Sequence, residues 1–107
     1  MQTDVLQGTL DMLVLKALSL ESTHGWGIAQ HIGRLSRDVL VINQGSLYPA
    51  LQRLERKGLI SARWGESENN RKAKFYALTA AGRRHLGDEA ADWQRFVAAV
   101  QMVMASA

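Results

Sequence analysis

Side chains that can hydrogen-bond with planar heterocycles and with anions are concentrated in residues 43–60, NQGSLYPALQRLERKGLI. An amide and a guanidinium are adjacent at Gln52 and Arg53. Each can make two parallel hydrogen bonds to the edge of a base, the amide to adenine and the guanidinium to guanine. Ser46 and Tyr48 carry hydroxyls that suit phosphate oxygens. The chemistry favoured here is recognition of a polyanion through hydrogen bonds and charge.

A short helix would present these groups on one side. Three leucines recur at i, i+4 and i+7 and predict an apolar face: Leu47, Leu51 and Leu54. The opposite face carries Gly45, Tyr48, Pro49, Gln52, Arg53 and Arg56. With Ser46 as the N-cap, Pro49 falls in the first turn, where its missing N–H has no helical partner to lose. Gly58 then ends the helix.

Positive charge is concentrated around and after this helix. Residues 53–84 hold nine basic and three acidic side chains, a net charge of +6, and the remainder of the chain carries −3. This distribution favours a surface that faces a polyanion. The alternative interpretation is an ordinary solvated face, on which Arg53 and Arg56 pair only with Glu55 or with the last helix.

The residue inventory argues against enzymatic and metal-binding classes. A chain of 107 residues suits one small domain, and because it has no cysteine it can form neither disulfides nor thiolate metal sites, so we expect a cytoplasmic location. His24 and His31 lie about 10.5 Å apart on a helix, too far to share a metal ion. Ser46 lacks the second glycine of a nucleophile elbow. We expect no catalysis, metal, cofactor or membrane insertion.

Helical and strand patterns alternate along the chain. Apolar spacing predicts a first helix over residues 5–20, including Val5 and Leu6, and a second helix capped by Thr23 or His24. Residues 39–42, VLVI, predict a small strand or a buried connector. Residues 59–64 and 71–79 predict two strands, with Gly65, Asn69 and Asn70 forming the turn between them. Thr79 is expected to cap a last helix that reaches about Met104.

This order predicts a mainly α fold with a β-hairpin, a winged helix-turn-helix over residues 1–80, and a C-terminal dimerisation helix over residues 81–107. In that fold the third helix enters the major groove of DNA and the hairpin reaches the flanking backbone. The predicted DNA-binding residues are Gln44, Gly45, Ser46, Tyr48, Pro49, Gln52, Arg53, Asn70, Arg71, Lys72 and Lys74. Glu66 and Glu68 would be repelled by phosphate, so we expect them to turn away from DNA.

The apolar pattern of the last helix predicts a surface through which the protein associates with a partner. Its apolar residues follow a repeat of three and four, which suits a helical partner. The predicted dimerisation residues are Leu86, Ala90, Trp93, Phe96, Val97, Val100 and Met104. The alternative is a helix folded back into its own core. Trp93 is interpreted as packing at the dimer axis, although a pair of indoles there could also sandwich a flat ligand.

Three motifs in order, HGWGIAQHI, QGSLYPALQRLERKGLI and NNRKAKFYALTAAG, resemble the PadR family of bacterial transcriptional regulators, with the short acidobacterial-type subgroup as the closest likeness. The resemblance implies a homodimeric repressor that binds a pseudo-palindromic operator in double-stranded DNA. It also implies that Lys74 and Tyr76 occupy the family's wing positions. A planar aromatic or other small molecule would be the candidate effector. The competing hypothesis is a winged helix that binds another protein and no nucleic acid.

Overall fold

Residues 3–4 and 7–107 are described by a computed structural model. The helices are α1 (Gln7–Leu20), α2 (Gly25–Leu35), α3 (Gln44–Arg56) and α4 (Ala80–Met104), and the strands are β1 (Thr3–Asp4), β2 (Thr23–His24), β3 (Leu40–Val41), β4 (Ile60–Glu66) and β5 (Lys72–Leu78). The predicted order of three helices, a hairpin and a last helix is confirmed. Val5 and Leu6, which the pattern assigned to the first helix, lie outside the described residues.

The core lies between the first three helices and the inner face of the hairpin. The predicted apolar face of α3 is confirmed, since Leu47, Leu51 and Leu54 are at most 1% exposed. They belong to one cluster with residues of α1 and α2, including Leu15 and Ile28. Burial of three leucines at about 1.5–3 kcal/mol each is the main term that holds α3 in place.

The first turn of α3 differs from the prediction. Asn43, not Ser46, is the N-cap, and its Oδ1 accepts a hydrogen bond from the Gly45 N–H at 2.6 Å. The helix therefore begins at Gln44, and Pro49 lies inside it rather than in the first turn. Asparagine is as good an N-cap as serine, so local sequence did not decide between them. Pro49 leaves the carbonyl of Gly45 without its usual helical N–H donor.

The N-cap of α2 and the C-terminal end of α3 lie where the sequence predicted them. His24 caps α2, because its Nδ1 accepts a hydrogen bond from the Gly27 N–H at 3.0 Å. At the end of α3, Gly58 takes φ +75°, and the N–H groups of Gly58 and Leu59 donate to the carbonyls of Glu55 and Leu54. This pair of bonds is a Schellman motif, which needs a left-handed residue and so favours glycine.

Strands β4 and β5 form an antiparallel hairpin, and β2 adds to it in the order β2-β5-β4. The register runs from Ile60 opposite Leu78 to Glu66 opposite Lys72. We call residues 60–78 the wing. Asn70 takes φ +57° in its turn, as predicted for a turn former, whereas Gly65 was wrongly assigned to the turn and pairs with Ala73 within the hairpin. Residues 39–42 contain the small strand β3, which pairs with β1 in parallel.

The last helix begins on the winged-helix core and then leaves it. Thr79 caps α4, accepting a hydrogen bond from the Gly82 N–H at 3.0 Å and donating one to the Gly58 carbonyl at 2.7 Å. The backbone of α4 approaches so closely that a Cβ at Gly82 would lie 1.9 Å from the Leu59 carbonyl oxygen. Its 25 residues extend beyond the core, and the protomer measures 57 × 31 × 21 Å. No helix in the described ranges is long and apolar enough to cross a membrane.

We expect Gly82→Ala to lower the free energy of unfolding by about 3 kcal/mol, because the added methyl group overlaps backbone that cannot move aside easily. The matched control is Gly87→Ala in the same helix, where a Cβ meets nothing within 4 Å. That change should raise stability by about 0.5–1 kcal/mol through helix propensity. Urea unfolding of both variants measures the difference. Equal stability of the two variants would contradict the close approach of α4 to Leu59.

Candidate nucleic-acid interface

One face of α3 is open to solvent along its whole length. Its exposed residues recur every three or four positions, as one side of a helix requires: Gly45, Tyr48, Pro49, Gln52 and Arg56. Gln44 and Ser46 are exposed in the first turn. Of the residues predicted to bind DNA from α3, all except Arg53 are thus exposed. Arg56, which the sequence also placed on this face but which is not among the predicted DNA-binding residues, is exposed as well.

Arg53 does not share this open face. Its Nη2 donates to Asp11 Oδ1 in α1 at 2.8 Å, and the two side chains are only 27% and 22% exposed. Its Nε is buried without a hydrogen-bond partner in the described part of the chain. Arg53 follows Gln52 by about 100° around the helix, which turns it toward α1. The alternative interpretation, which named Glu55 or the last helix as the partner of Arg53, was wrong about the partner, since the carboxylate that pairs with Arg53 belongs to Asp11.

The opposite edge of α3 is held by the wing. Lys74 Nζ donates to Glu55 Oε1 at 3.1 Å and lies 5.8 Å from the centre of the Tyr76 ring. Burial raises the pKa of the Tyr76 phenol above its ordinary value, and the Lys74 charge opposes that rise. Lys74, predicted to contact DNA from the wing, thus joins the wing to α3 in this conformation. Each member of the pair keeps about a third of its side chain exposed.

The tip of the wing carries the other predicted basic and polar residues. Asn70, Arg71 and Lys72 are all exposed. Glu66 stands directly opposite Lys72 across the hairpin. Glu68 lines the same cleft as Arg71 and Lys72, so the expectation that both acidic residues turn away from this side was wrong for Glu68.

A cleft of about 1040 Å³ separates the wing from α2 and α3. Tyr48 and Gln52 line it from α3, and Lys72 lines it from the wing. Three further residues that line the cleft are not among the predicted site residues: Trp26, Arg34 and Trp64. These residues come together only in the folded protein, because their neighbours in the cleft are distant in sequence. No local sequence pattern therefore pointed to them. The cleft brings together hydrogen-bonding, cationic and aromatic groups on one side of the protomer.

The predicted dimerisation residues divide into two groups. Leu86 packs against the core of its own protomer, and Ala90 and Val97 are half-buried. Trp93, Phe96, Val100 and Met104 are exposed large apolar residues. The Trp93 and Phe96 rings lie 5.9 Å apart and form one continuous aromatic surface. Nothing in the described part of the protomer covers this stripe, so the alternative of a helix folded back into its own core does not hold for these four residues.

The model of the transcriptional regulator PadR-like family matches residues 14–88, which include the helix-turn-helix and the wing. The chain belongs to this family. A PadR-like transcription factor from Bacteroides fragilis is 31% identical, with a TM-score of 0.73 and 91% of each chain covered. A PadR family regulator from Eggerthella lenta is 30% identical, with a TM-score of 0.79 over 94% of this chain and 86% of that one. A protein of Streptococcus mutans, 26% identical, has a TM-score of 0.83 over 97% and 93%.

Membership in the PadR-like family establishes the general role of the protein. The chain is a transcriptional regulator, which implies regulation through DNA binding, and it is not an enzyme. The predicted fold is confirmed, with a winged helix followed by a C-terminal helix. No group of three or more potential metal ligands occurs among residues 3–4 and 7–107.

Asp11 and Arg53 should be energetically coupled. We expect a double-mutant cycle with Asp11→Ala, Arg53→Ala and the double variant to give a coupling energy of about 1–2 kcal/mol. Removing either partner would leave the other charge largely buried and without its ion pair. The matched control is the exposed pair Arg95 and Asp92 on α4, for which we expect less than about 0.5 kcal/mol. Urea unfolding of the wild type and the six variants gives both values. Coupling as small as the control would mean that the α1–α3 ion pair does not persist in solution.

Proposed function

We propose that this PadR-like regulator is a homodimeric repressor that binds a pseudo-palindromic operator, with α3 in the major groove and the wing on the flanking backbone. The observation that supports it is the open face of α3, which lies beside a cationic cleft and the exposed tip of the wing. An α-helix fits into the major groove of B-DNA and is too wide for the minor groove. DNA in a bacterial cell is cytoplasmic, so we propose that location.

In this proposal the residues divide into those that read bases, those that contact phosphates and those that orient α3. Gln52 and Arg56 read base edges, because both are exposed and lie one helical turn apart on the open face. Side-chain hydroxyls and the Gln44 N–H near the start of α3 meet phosphates, as do the basic and polar residues at the tip of the wing. These are Gln44, Ser46, Tyr48, Asn70, Arg71 and Lys72, with Gly45 and Pro49 in van der Waals contact. Arg53 and Lys74 orient α3 through their ion pairs, and either reaches DNA only by leaving its carboxylate.

We assign dimerisation to α4. The long exposed apolar stripe of α4 is typical of a surface that binds a partner. We take that partner to be a second copy of this chain, because a dimer with two-fold symmetry matches a pseudo-palindromic site. Residues 1–80 would then bind DNA, and residues 81–107 would set the distance between the two α3 helices. The 25-residue α4 also supports the short C-terminal class of the family, with the acidobacterial-type subgroup as the finer assignment.

A small-molecule effector is the remaining part of the proposal. Trp93 lies within the α4 stripe, so a dimer formed through that stripe would bring two indoles together near its axis. A planar aromatic compound could stack there, although packing between the subunits accounts for Trp93 equally well. Trp93→Ala separates the two roles: loss of the dimer indicates packing, and a retained dimer without a ligand response indicates a sensor.

Specific binding should depend on Gln52. We expect the wild type to bind the duplex upstream of its own gene far more tightly than a scrambled duplex, with a log–log salt slope of about −5 to −9 for six to ten phosphate contacts. Gln52→Ala should cost about 1–3 kcal/mol on the specific duplex and almost nothing on the scrambled one. Gln94→Ala, an exposed glutamine on α4, is the control. Fluorescence anisotropy across a salt series measures both quantities.

The possible outcomes separate the competing functions. Similar weak binding to both duplexes would place the operator elsewhere in the genome and move the Gln52 test to a selected sequence. If neither duplex binds even at low salt, the DNA-binding proposal is lost and a protein-interaction module becomes the better account. If Gln52→Ala binds like the wild type, the base-reading assignment is wrong even though the function stands.

Dimerisation should depend on which side of α4 is altered. Val100 belongs to the stripe and is 42% exposed, whereas Met102 lies on a different side and is 68% exposed. We expect Val100→Lys to weaken the dimer at least tenfold, because it would bury an unpaired charge between the subunits. Met102→Lys should change the dimer constant less than about threefold. Sedimentation equilibrium measures both, and equal effects would contradict the assigned face.

A further inference from the structure

Trp64 lies in the wing with most of its indole in solvent. It is 67% exposed, although its strand β4 begins in the core at Ile60. Lys74 stands directly opposite it across the hairpin, and Lys72 is the diagonal neighbour on the same side. All three line the cleft between the wing and α3. Of the two lysines, Lys74 pairs with Glu55 of α3, and Lys72 stands opposite Glu66 at the exposed end of the hairpin. A large exposed aromatic side chain beside cationic groups suits a partner that has both negative and apolar parts.

The other walls of the cleft complete such a surface. Arg34, Arg71 and Lys72 line the cleft as cations that form no ion pair in the described part of the chain, and Lys74 lines it while paired with Glu55 of α3; the acidic side chains in the lining are Glu21 and Glu68. Arg34 comes from α2, so the positive groups approach from both sides. The charge complementarity is therefore with a negative chain that lies inside the cleft.

The geometry of the DNA duplex indicates which negatively charged chain would lie in the cleft. The major and minor grooves of DNA are separated by one sugar–phosphate strand, so a protein with a helix in one groove and a wing at the next must straddle a strand. In this protein the cleft that Trp64 lines is bounded by the wing, by α2 and by Tyr48 and Gln52 on the open side of α3, so a strand that passes beside α3 would enter it. This step rests on the proposed function, in which α3 enters the major groove.

We propose that the cleft holds one sugar–phosphate strand of the duplex, with the Trp64 indole packed against a deoxyribose and with Arg34 and Lys72 at phosphates on either side. Deoxyribose offers an apolar edge between two charged groups, and an aromatic ring flanked by cations matches that alternation. Contact with sugar and phosphate carries no base identity, so Trp64 contributes affinity that is independent of sequence.

The tryptophans allow a direct test, because the three in the chain lie in different regions, at positions 26, 64 and 93. The double variant W26F/W93F leaves Trp64 as the only indole, and W26F/W64F leaves Trp93. Each is titrated at low salt with an unlabelled random duplex of about 30 bp, roughly three helical turns. Binding is followed separately with a labelled copy of the same duplex. We expect saturable quenching or a blue shift of Trp64 at the binding midpoint, and no change in Trp93.

Affinity gives a second, independent readout. Trp64→Ala should weaken binding about tenfold to random and operator duplexes alike, with an unchanged salt slope, and Trp64→Phe should retain most of the affinity. Arg34→Gln should reduce the magnitude of the salt slope by about 1, as expected for one lost phosphate contact. Arg84→Gln, an exposed cation on α4 that does not line the cleft, is the control. Urea unfolding checks that the variants stay folded.

Failure of the inference can be told apart from failure of the proposed function. If the labelled duplex binds and saturates while Trp64 emission stays constant and Trp64→Ala binds normally, the strand does not pass through the cleft and the inference is overturned. If the wild type binds no duplex at low salt, the proposed function fails first. If Trp64→Ala loses discrimination between operator and random duplex, Trp64 reads sequence and the assigned sugar contact is wrong.

Discussion

The orientation of α3 depends on its being held on three sides with only one face open. The leucine face is fixed by burial in the core. On one edge Arg53 pairs with Asp11 of α1, and on the other Glu55 pairs with Lys74 of the wing. Burial sets which face of α3 meets the core, and the two ion pairs, one on each edge, oppose rotation of the helix about its axis. A helix that reads bases needs such restriction, because misplacing a bidentate contact loses its discrimination.

A similar constraint links α3 to α4. The Schellman motif at Gly58 ends α3, and the same Gly58 carbonyl accepts a hydrogen bond from the cap of α4, Thr79. Gly82 then allows α4 to lie directly on the Leu59 backbone. The proposed dimerisation helix and the proposed DNA-reading helix are thus joined through a few backbone atoms.

Local patterns predicted most of the architecture because the helices are amphipathic and have strong ends. Helical spacing, the Thr79 cap and the φ of Gly58 were all readable within a few residues. The Asp11–Arg53 pair was not, since its members are 42 residues apart and neither forms part of a local motif. The two-residue strand β2 was missed for the same reason, since its stability comes from β5. Ser46 and Asn43 are equally good caps, so only tertiary context could select the start of α3.

Net charge is a poor guide to the strength of the DNA surface in this protein. The segment 53–84 carries +6, yet Arg53 and Lys74 are each neutralised by a carboxylate at hydrogen-bond distance. Glu68 lowers the positive potential of the cleft further. Arg34 works in the opposite direction, because it lies outside that segment and still faces the cleft. Counterion release follows the phosphates actually neutralised and not the formal count. Position in the fold, rather than the total of basic residues, therefore decides which cations contribute to binding.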